Sequence, residues 1–197
     1  PVTGVPLAFL TSTPAGDSKI YQTHPQWTAD GQWLIFRSQR APGQAMAVHE
    51  ESGVIVQLTE NGYLGMLCVA QRSMKLYFMR GAGRVSPPEP AAKTEPAAGG
   101  DAAKKKGGGG RGFGRPRGPF QVVEVDLARL FADSAAGKLA PGATAYERVC
   151  GTTPDGMTAD GNLALDANED FAYFRISGAE LADRLAPGQD RKSTRLN

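Results

Sequence analysis

Three nine-residue windows share one arrangement of polar and apolar positions: Thr28–Phe36 (TADGQWLIF), Ala70–Phe78 (AQRSMKLYF) and Asp166–Phe174 (DANEDFAYF). Each opens on a short polar turn and continues as an apolar run that ends in phenylalanine. In an extended run, Trp33 and Ile35 point one way and Leu34 and Phe36 the other, so both faces are apolar. A strand of that kind needs cover on both sides.

Short strand candidates precede each turn, at Thr23–Trp27, Gly65–Val69 and Asn162–Leu165. After the first window come Ala45–His49 and Val54–Thr59, joined by a Glu51-Ser52-Gly53 turn, which predicts four antiparallel strands between Thr23 and Thr59. Phe36 and Phe78 lie 42 residues apart. A period of roughly 40–50 residues with four short strands per unit is the signature of a β-propeller. The second unit is longer, with 96 residues from Phe78 to Phe174. Its third strand is predicted at Phe120–Val125 and its fourth near Tyr146–Val149. Between them a helix is expected over Asp126–Ala136, with Leu127, Leu130 and Phe131 on one face.

The expected fold is therefore all-β: a partial β-propeller of about two and a half four-stranded antiparallel blades, with a long disordered insertion. Residues 1–19 read as an outer strand of a preceding or closing blade plus a linker, because Leu7–Thr11 (LAFLT) echoes Val56–Thr59 (VQLT). Blade 1 is expected over 20–62, blade 2 over 63–150 and the start of blade 3 over 151–189.

Composition changes the picture at residues 81–119, a Gly/Pro/Lys-rich stretch with almost no large apolar residue. Such a segment cannot bury enough surface to offset its ordering entropy, so it reads as a disordered insertion inside blade 2. It carries eight basic residues against three acidic, a local charge of +5 in a chain whose formal net charge is +2. The arginines around Phe113 have the spacing of single-strand nucleic-acid binders, but one aromatic among glycines reads better as a solvated loop, and no nucleic-acid partner is expected. Residues 190–197 (DRKSTRLN) look like the translation of a sequencing adapter and read as a non-native tail, with natural sequence ending near Gln189.

Cys68 and Cys150 fit no metal spacing and read as small buried residues. No apolar run reaches the roughly 18 residues of a membrane helix, so no membrane span is expected. The compartment is not legible; cytoplasmic, periplasmic and secreted locations stay open.

The stretch Ile20–Ser38 (IYQTHPQWTADGQWLIFRS), with Ala45–Val48 and Val54–Thr59, resembles the blades of Tol-type propellers. Pro25, Trp27, Asp30, Gly31, Leu58 and Thr59 fill the places of that blade motif. Taken with Tyr63–Arg80, the sequence is most similar to the oligogalacturonate lyase family. The resemblance is clear over residues 20–80 and weaker over 120–180. It implies β-elimination of uronic-acid oligosaccharides in pectin catabolism, with an acidic oligosaccharide as partner. The family holds a manganese ion (Mn2+) with histidines and a glutamine and uses another histidine as base, in later blades. None of those residues maps onto residues 1–189, so no catalytic residue, metal ligand or cofactor is assigned within this chain. The resemblance further implies that the chain by itself is inactive and needs the missing C-terminal blades to close the ring.

Tyr21, Gln22 and His24 stand at the start of an innermost strand, where propellers line their central channel, and are the candidate substrate-binding residues with Arg37. His24 is the strongest of these, set against the plainer reading of a histidine bonded to backbone at the channel mouth. Arg37, Arg40, Arg72 and Arg80 could each bind an acidic sugar, but scattered arginines usually face solvent, and Arg37, which follows the inner run, is the one expected to pair within the fold. His49, beside Glu50 and Glu51, is expected to face solvent. Asp30-Gly31, Asp155-Gly156 and Asp160-Gly161 read as turns. The alternative function is a non-catalytic Tol-type propeller acting as a periplasmic or secreted binding scaffold. A third reading, the propeller cap of a serine peptidase, requires a Gly-x-Ser-x-Gly elbow downstream of these residues.

Overall fold

The apolar runs of the three windows become the second strands of three antiparallel sheets in the computed structural model, which describes residues 4, 9–12, 14–82, 119–153, 157–177 and 193–195. Sheet 1 comprises β1 (Asp17–Lys19), β2 (Trp33–Ser38), β3 (Ala45–His49) and β4 (Ile55–Gln57), in that order. Sheet 2 comprises β5 (Leu64–Val69), β6 (Lys75–Gly81), β7 (Phe120–Asp126) and β8 (Glu147–Thr152), again in sequence order. Sheet 3 comprises β9 (Thr158–Leu165), β10 (Phe171–Ser177) and β11 (Ser193–Arg195), with β10 in the middle. The chain is all-β in character, with one α-helix, α1 (Leu127–Ala135), among the described residues.

The sheets pack face to face. Trp33, Ile35, Ala47 and Val56 of sheet 1 meet Leu67, Val69, Leu76, Phe78 and Val125 of sheet 2. The other face of sheet 2, with Cys68, Tyr77, Met79 and Val122, meets Ala159, Leu163 and Ala172 of sheet 3. Sheet 2 is thus buried on both faces, as its apolar run requires; Leu76, Tyr77, Phe78 and Met79 are all 2% exposed or less. Each such side chain contributes about 1.5–3 kcal/mol by leaving water. On the far face of sheet 1, Phe36, Met46 and Val48 form a third cluster against which Leu10 packs.

The sequence places the first strand of sheet 1 at Thr23–Trp27, and the structure differs. Only Trp27 keeps a bridge, to Leu34, supported by a 2.8 Å bond from Ile35 N–H to the Gln26 carbonyl. The paired strand is β1, which lies against Phe36, Arg37 and Ser38 at the far end of β2. A turn closed by His24 N–H on the Tyr21 carbonyl (3.0 Å) separates the two pieces, and Pro25 brings no donor to continue the ladder.

The threonine of the Leu58-Thr59 pair has a structural task. Its buried hydroxyl accepts from Ala45 N–H (2.9 Å) and donates to Gln44 (3.0 Å), which pins the last residue of the unit to the first of its third strand. Thr153 repeats this in sheet 2, accepting from Phe120 N–H at 2.8 Å.

The insertion leaves and re-enters at one point. Gly81 pairs with Phe120, and Ala82 N–H donates to the Pro119 carbonyl (2.8 Å), so β6 and β7 form an undisturbed hairpin. Residues 83–118, most of the expected insertion, lie outside the described residues, as do Asp155, Gly156 and the expected tail apart from Ser193–Arg195. Asp160 and Gly161 lie within β9 rather than in a loop; the Asp160 carboxylate accepts from Asn162 N–H (3.0 Å) at a local irregularity in the pairing of β9 with β10. The expected helix forms with Leu127, Leu130 and Phe131 buried, and Asp126 caps it by accepting from Arg129 N–H. Phe131 stacks on Trp33 with ring centroids 3.9 Å apart. Among the described residues no helix is long and apolar enough to cross a membrane.

Candidate ligand-binding cleft

One hydrogen bond recurs in all three windows. The first residue donates its N–H to the carbonyl of the sixth: Thr28 to Trp33 (3.0 Å), Ala70 to Lys75 (3.0 Å) and Asp166 to Phe171 (3.1 Å). In windows one and three a side-chain oxygen takes the return bond, Thr28 Oγ1 from Trp33 N–H (3.1 Å) and Asp166 Oδ1 from Phe171 N–H (2.7 Å). Ala70 has no such oxygen. The shared bond places the three polar turns at the same end of their sheets.

The turns also bond to one another. Gln71 Nε2 donates to the Trp27 carbonyl (3.4 Å), linking turn two to turn one. Glu169 links turn three to turn two: its carboxylate accepts from Arg72 N–H (2.7 Å), Ser73 N–H (3.0 Å) and the Ser73 hydroxyl (2.7 Å). Burial pushes Glu169 upward, but the Ser73 hydroxyl and the backbone donors of turn two outweigh it and hold the carboxyl below the usual glutamate value.

Between these turns lies a cleft of about 310 Å³. Its walls come from all three units: His24 and Pro25 from the first, Cys68, Val69, Gln71 and Arg72 from the second, Leu165, Asp166 and Glu169 from the third. Its lining is mostly apolar, with Arg72, Asp166 and Glu169 as the charged residues, which is the usual make-up of a small-molecule site. The two carboxylates are already engaged. Asp166 accepts from Phe171 and Asn168 N–H groups, and Phe171 N–H above all holds it below the ordinary aspartate value. The Cys68 thiol is buried, and burial pushes it up, which disfavours the reactive thiolate. His24 and Arg72 therefore bring the polar chemistry that a ligand could meet.

Of the residues predicted from sequence, His24 lines the cleft and Tyr21 stands beside it, edge-on with ring centroids 5.7 Å apart. Tyr21 and Gln22 are exposed. Arg37 is not brought to this group. It occupies the other end of β2, four residues beyond Trp33 and roughly 13 Å along the strand. There its Nη2 donates to the Gly65 carbonyl (3.3 Å) and its guanidinium lies 5.8 Å from the Tyr63 ring centre. That matches the expectation that Arg37 pairs within the fold. His49, expected to face solvent, is half-buried, edge-on to Trp33 at 4.9 Å, with Nδ1 accepting from Ser52 N–H (3.2 Å).

The manganese site implied by the family resemblance has no counterpart among the described residues. His24 and His49 line different clefts, the carboxylates that share the His24 cleft accept from backbone donors, and among the described residues no group of three or more His, Cys, Asp or Glu could hold a metal ion. Both cysteines are free thiols; Cys68 is buried and Cys150 half-buried.

Arg72 and Glu169 were not singled out as a pair by sequence reasoning. They are 97 positions apart, and the signal that joins them is their shared place in equivalent turns of the repeat. No protein-family model, curated protein or solved structure matches the chain.

Proposed function

We propose that the three sheets are consecutive blades of a β-propeller of the oligogalacturonate lyase type, and that the cleft at the turn end of the blades takes an acidic sugar unit. The observation that carries this reading is that His24 and Arg72, from two different repeats, line one cleft with apolar side chains around them. A guanidinium suits a uronate carboxylate because its planar donors match the two oxygens. The exposed Tyr21 ring beside His24 offers a face for the apolar side of a pyranose. The propeller reading is supported by face-to-face packing of two successive four-stranded meanders and a three-stranded sheet, and by the hydrogen bond shared by all three windows.

The test is calorimetric titration of the chain with digalacturonate and with a neutral digalactoside. Saturable binding of the acidic sugar alone, lost in His24→Ala, is the expected result. Equal heats from both sugars, or none from either, would overturn the reading. The same samples followed by ultraviolet absorbance report whether an unsaturated uronate forms, the product of β-elimination.

A non-catalytic Tol-type binding scaffold is the second reading. It is favoured by the engagement of Asp166 and Glu169 in turn hydrogen bonds, which leaves them as structural groups rather than bases. Binding without a rise in absorbance would select it.

A further inference from the structure

Glu169 holds a backbone conformation that its side chain disfavours. Its φ is 64°, in the left-handed region, at the window position that Gly31 fills with φ 72° in the first repeat. A residue with a Cβ costs about 1–2 kcal/mol there. Glycine would make this turn more cheaply, so the glutamate is explained by what its side chain does. Its carboxylate takes three hydrogen bonds from Arg72 and Ser73 of the neighbouring turn. Arg72 is tied a second time, because its Nη1 donates to Asn168 Oδ1 (3.1 Å) and to the Ala167 carbonyl (3.4 Å). Both the backbone and the guanidinium of Arg72 are thus fixed by the turn that carries Glu169. The strain sits beside the cleft, where local strain commonly serves a site rather than the fold.

We propose that Glu169 is a positioning residue, which clamps turn 71–73 so that the Arg72 guanidinium stands at the cleft rim as the receiver of a ligand carboxylate. This rests on the reading of the cleft as an acidic-sugar site. A clamped arginine loses less side-chain freedom on binding than a free one, and affinity for a carboxylate gains accordingly. Specificity for acidic over neutral sugars then depends on Glu169, although Glu169 itself touches no ligand.

The experiment is a double-mutant cycle of Arg72→Ala and Glu169→Gly, read by calorimetry with digalacturonate and by NMR relaxation at Arg72 Nε in the ligand-free protein. Each single variant is expected to weaken digalacturonate binding by about tenfold. The double variant should bind no more weakly than Arg72→Ala alone, since the clamp acts through that arginine. Arg72 Nε should lose order in Glu169→Gly. Unchanged affinity in Glu169→Gly, or an equal further loss on the Arg72→Ala background, would overturn the positioning role. If the wild-type chain does not bind digalacturonate, the acidic-sugar reading fails; loss of Nε order in Glu169→Gly would still support the clamp, and unchanged order would overturn it.

Discussion

A Cβ placed on Gly65 would stand 2.5 Å from the carbonyl oxygen of Gly161. The two glycines are equivalent, each five residues before its window, and both have positive φ, 70° and 77°. They lie where the first strands of sheets 2 and 3 come closest, so backbone touches backbone. Either alanine would meet both a disfavoured dihedral and a backbone that cannot move aside. Gly65→Ala and Gly161→Ala are each expected to lose more than about 2 kcal/mol of stability. Gly43→Ala, at φ 77° with open space around it, should lose only about 1 kcal/mol. Urea unfolding of the three variants checks this; three equal losses would mean that the close approach is not what holds these glycines.

The threonines at equivalent turns should matter for their hydroxyls. Thr59→Val and Thr153→Val keep shape but remove the acceptor for Ala45 and Phe120 N–H groups, both at strand starts. Each is expected to cost about 1–3 kcal/mol, the penalty for a buried donor left without its partner. Thr28→Val should fall in the same range by losing the Trp33 bond. Thermal unfolding midpoints that match the wild type would show that water replaces these acceptors.

Acid should weaken the chain through Glu124. This carboxylate is buried between β6 and β8, where it accepts from the Tyr77 hydroxyl (2.8 Å), Lys75 (3.1 Å) and Arg148 (2.9 Å). Burial pushes it up, but these bonds together outweigh burial and hold it below the ordinary glutamate value. A depressed acid stabilises above its unfolded value of about 4.3, and that contribution is lost as pH falls through the folded value. Glu147 has the opposite sign: burial raises it despite Arg80, so it does not drive acid loss. Glu124→Gln should lower the urea midpoint at neutral pH and flatten its decline toward about pH 3. An acid limb as steep as the wild type would assign the decline elsewhere.

The second window is legible because β6 is covered on both faces, and a doubly apolar run after a polar turn reads plainly in sequence; β10 shares the pattern although Tyr173 stays exposed. β3 at Ala45–His49 reads from its apolar run, and α1 from its single apolar face. β1 was not: Asp-Ser-Lys carries no apolar signal, and its pairing comes from the backbone ladder with Phe36–Ser38. Thr153 was missed because its unit ends in Thr-Thr rather than Leu-Thr. His24 is singled out by its expected place at the start of an inner strand; the structure puts it instead in a turn that lines the cleft. Arg72 is legible only as one of four arginines that could bind an acidic sugar; its link to Glu169 is not, because that bond joins turns of different repeats, which only the stacking of the sheets brings together.

Side-chain NMR on His24 and Arg72 during titration with digalacturonate distinguishes one shared cleft from two unrelated surfaces. Saturable shifts of both resonances at one common affinity are expected, with no change from the neutral digalactoside. Shifts at only one of the two, or identical shifts from the neutral sugar, would contradict the assignment of a single acidic-sugar cleft built from separate repeats.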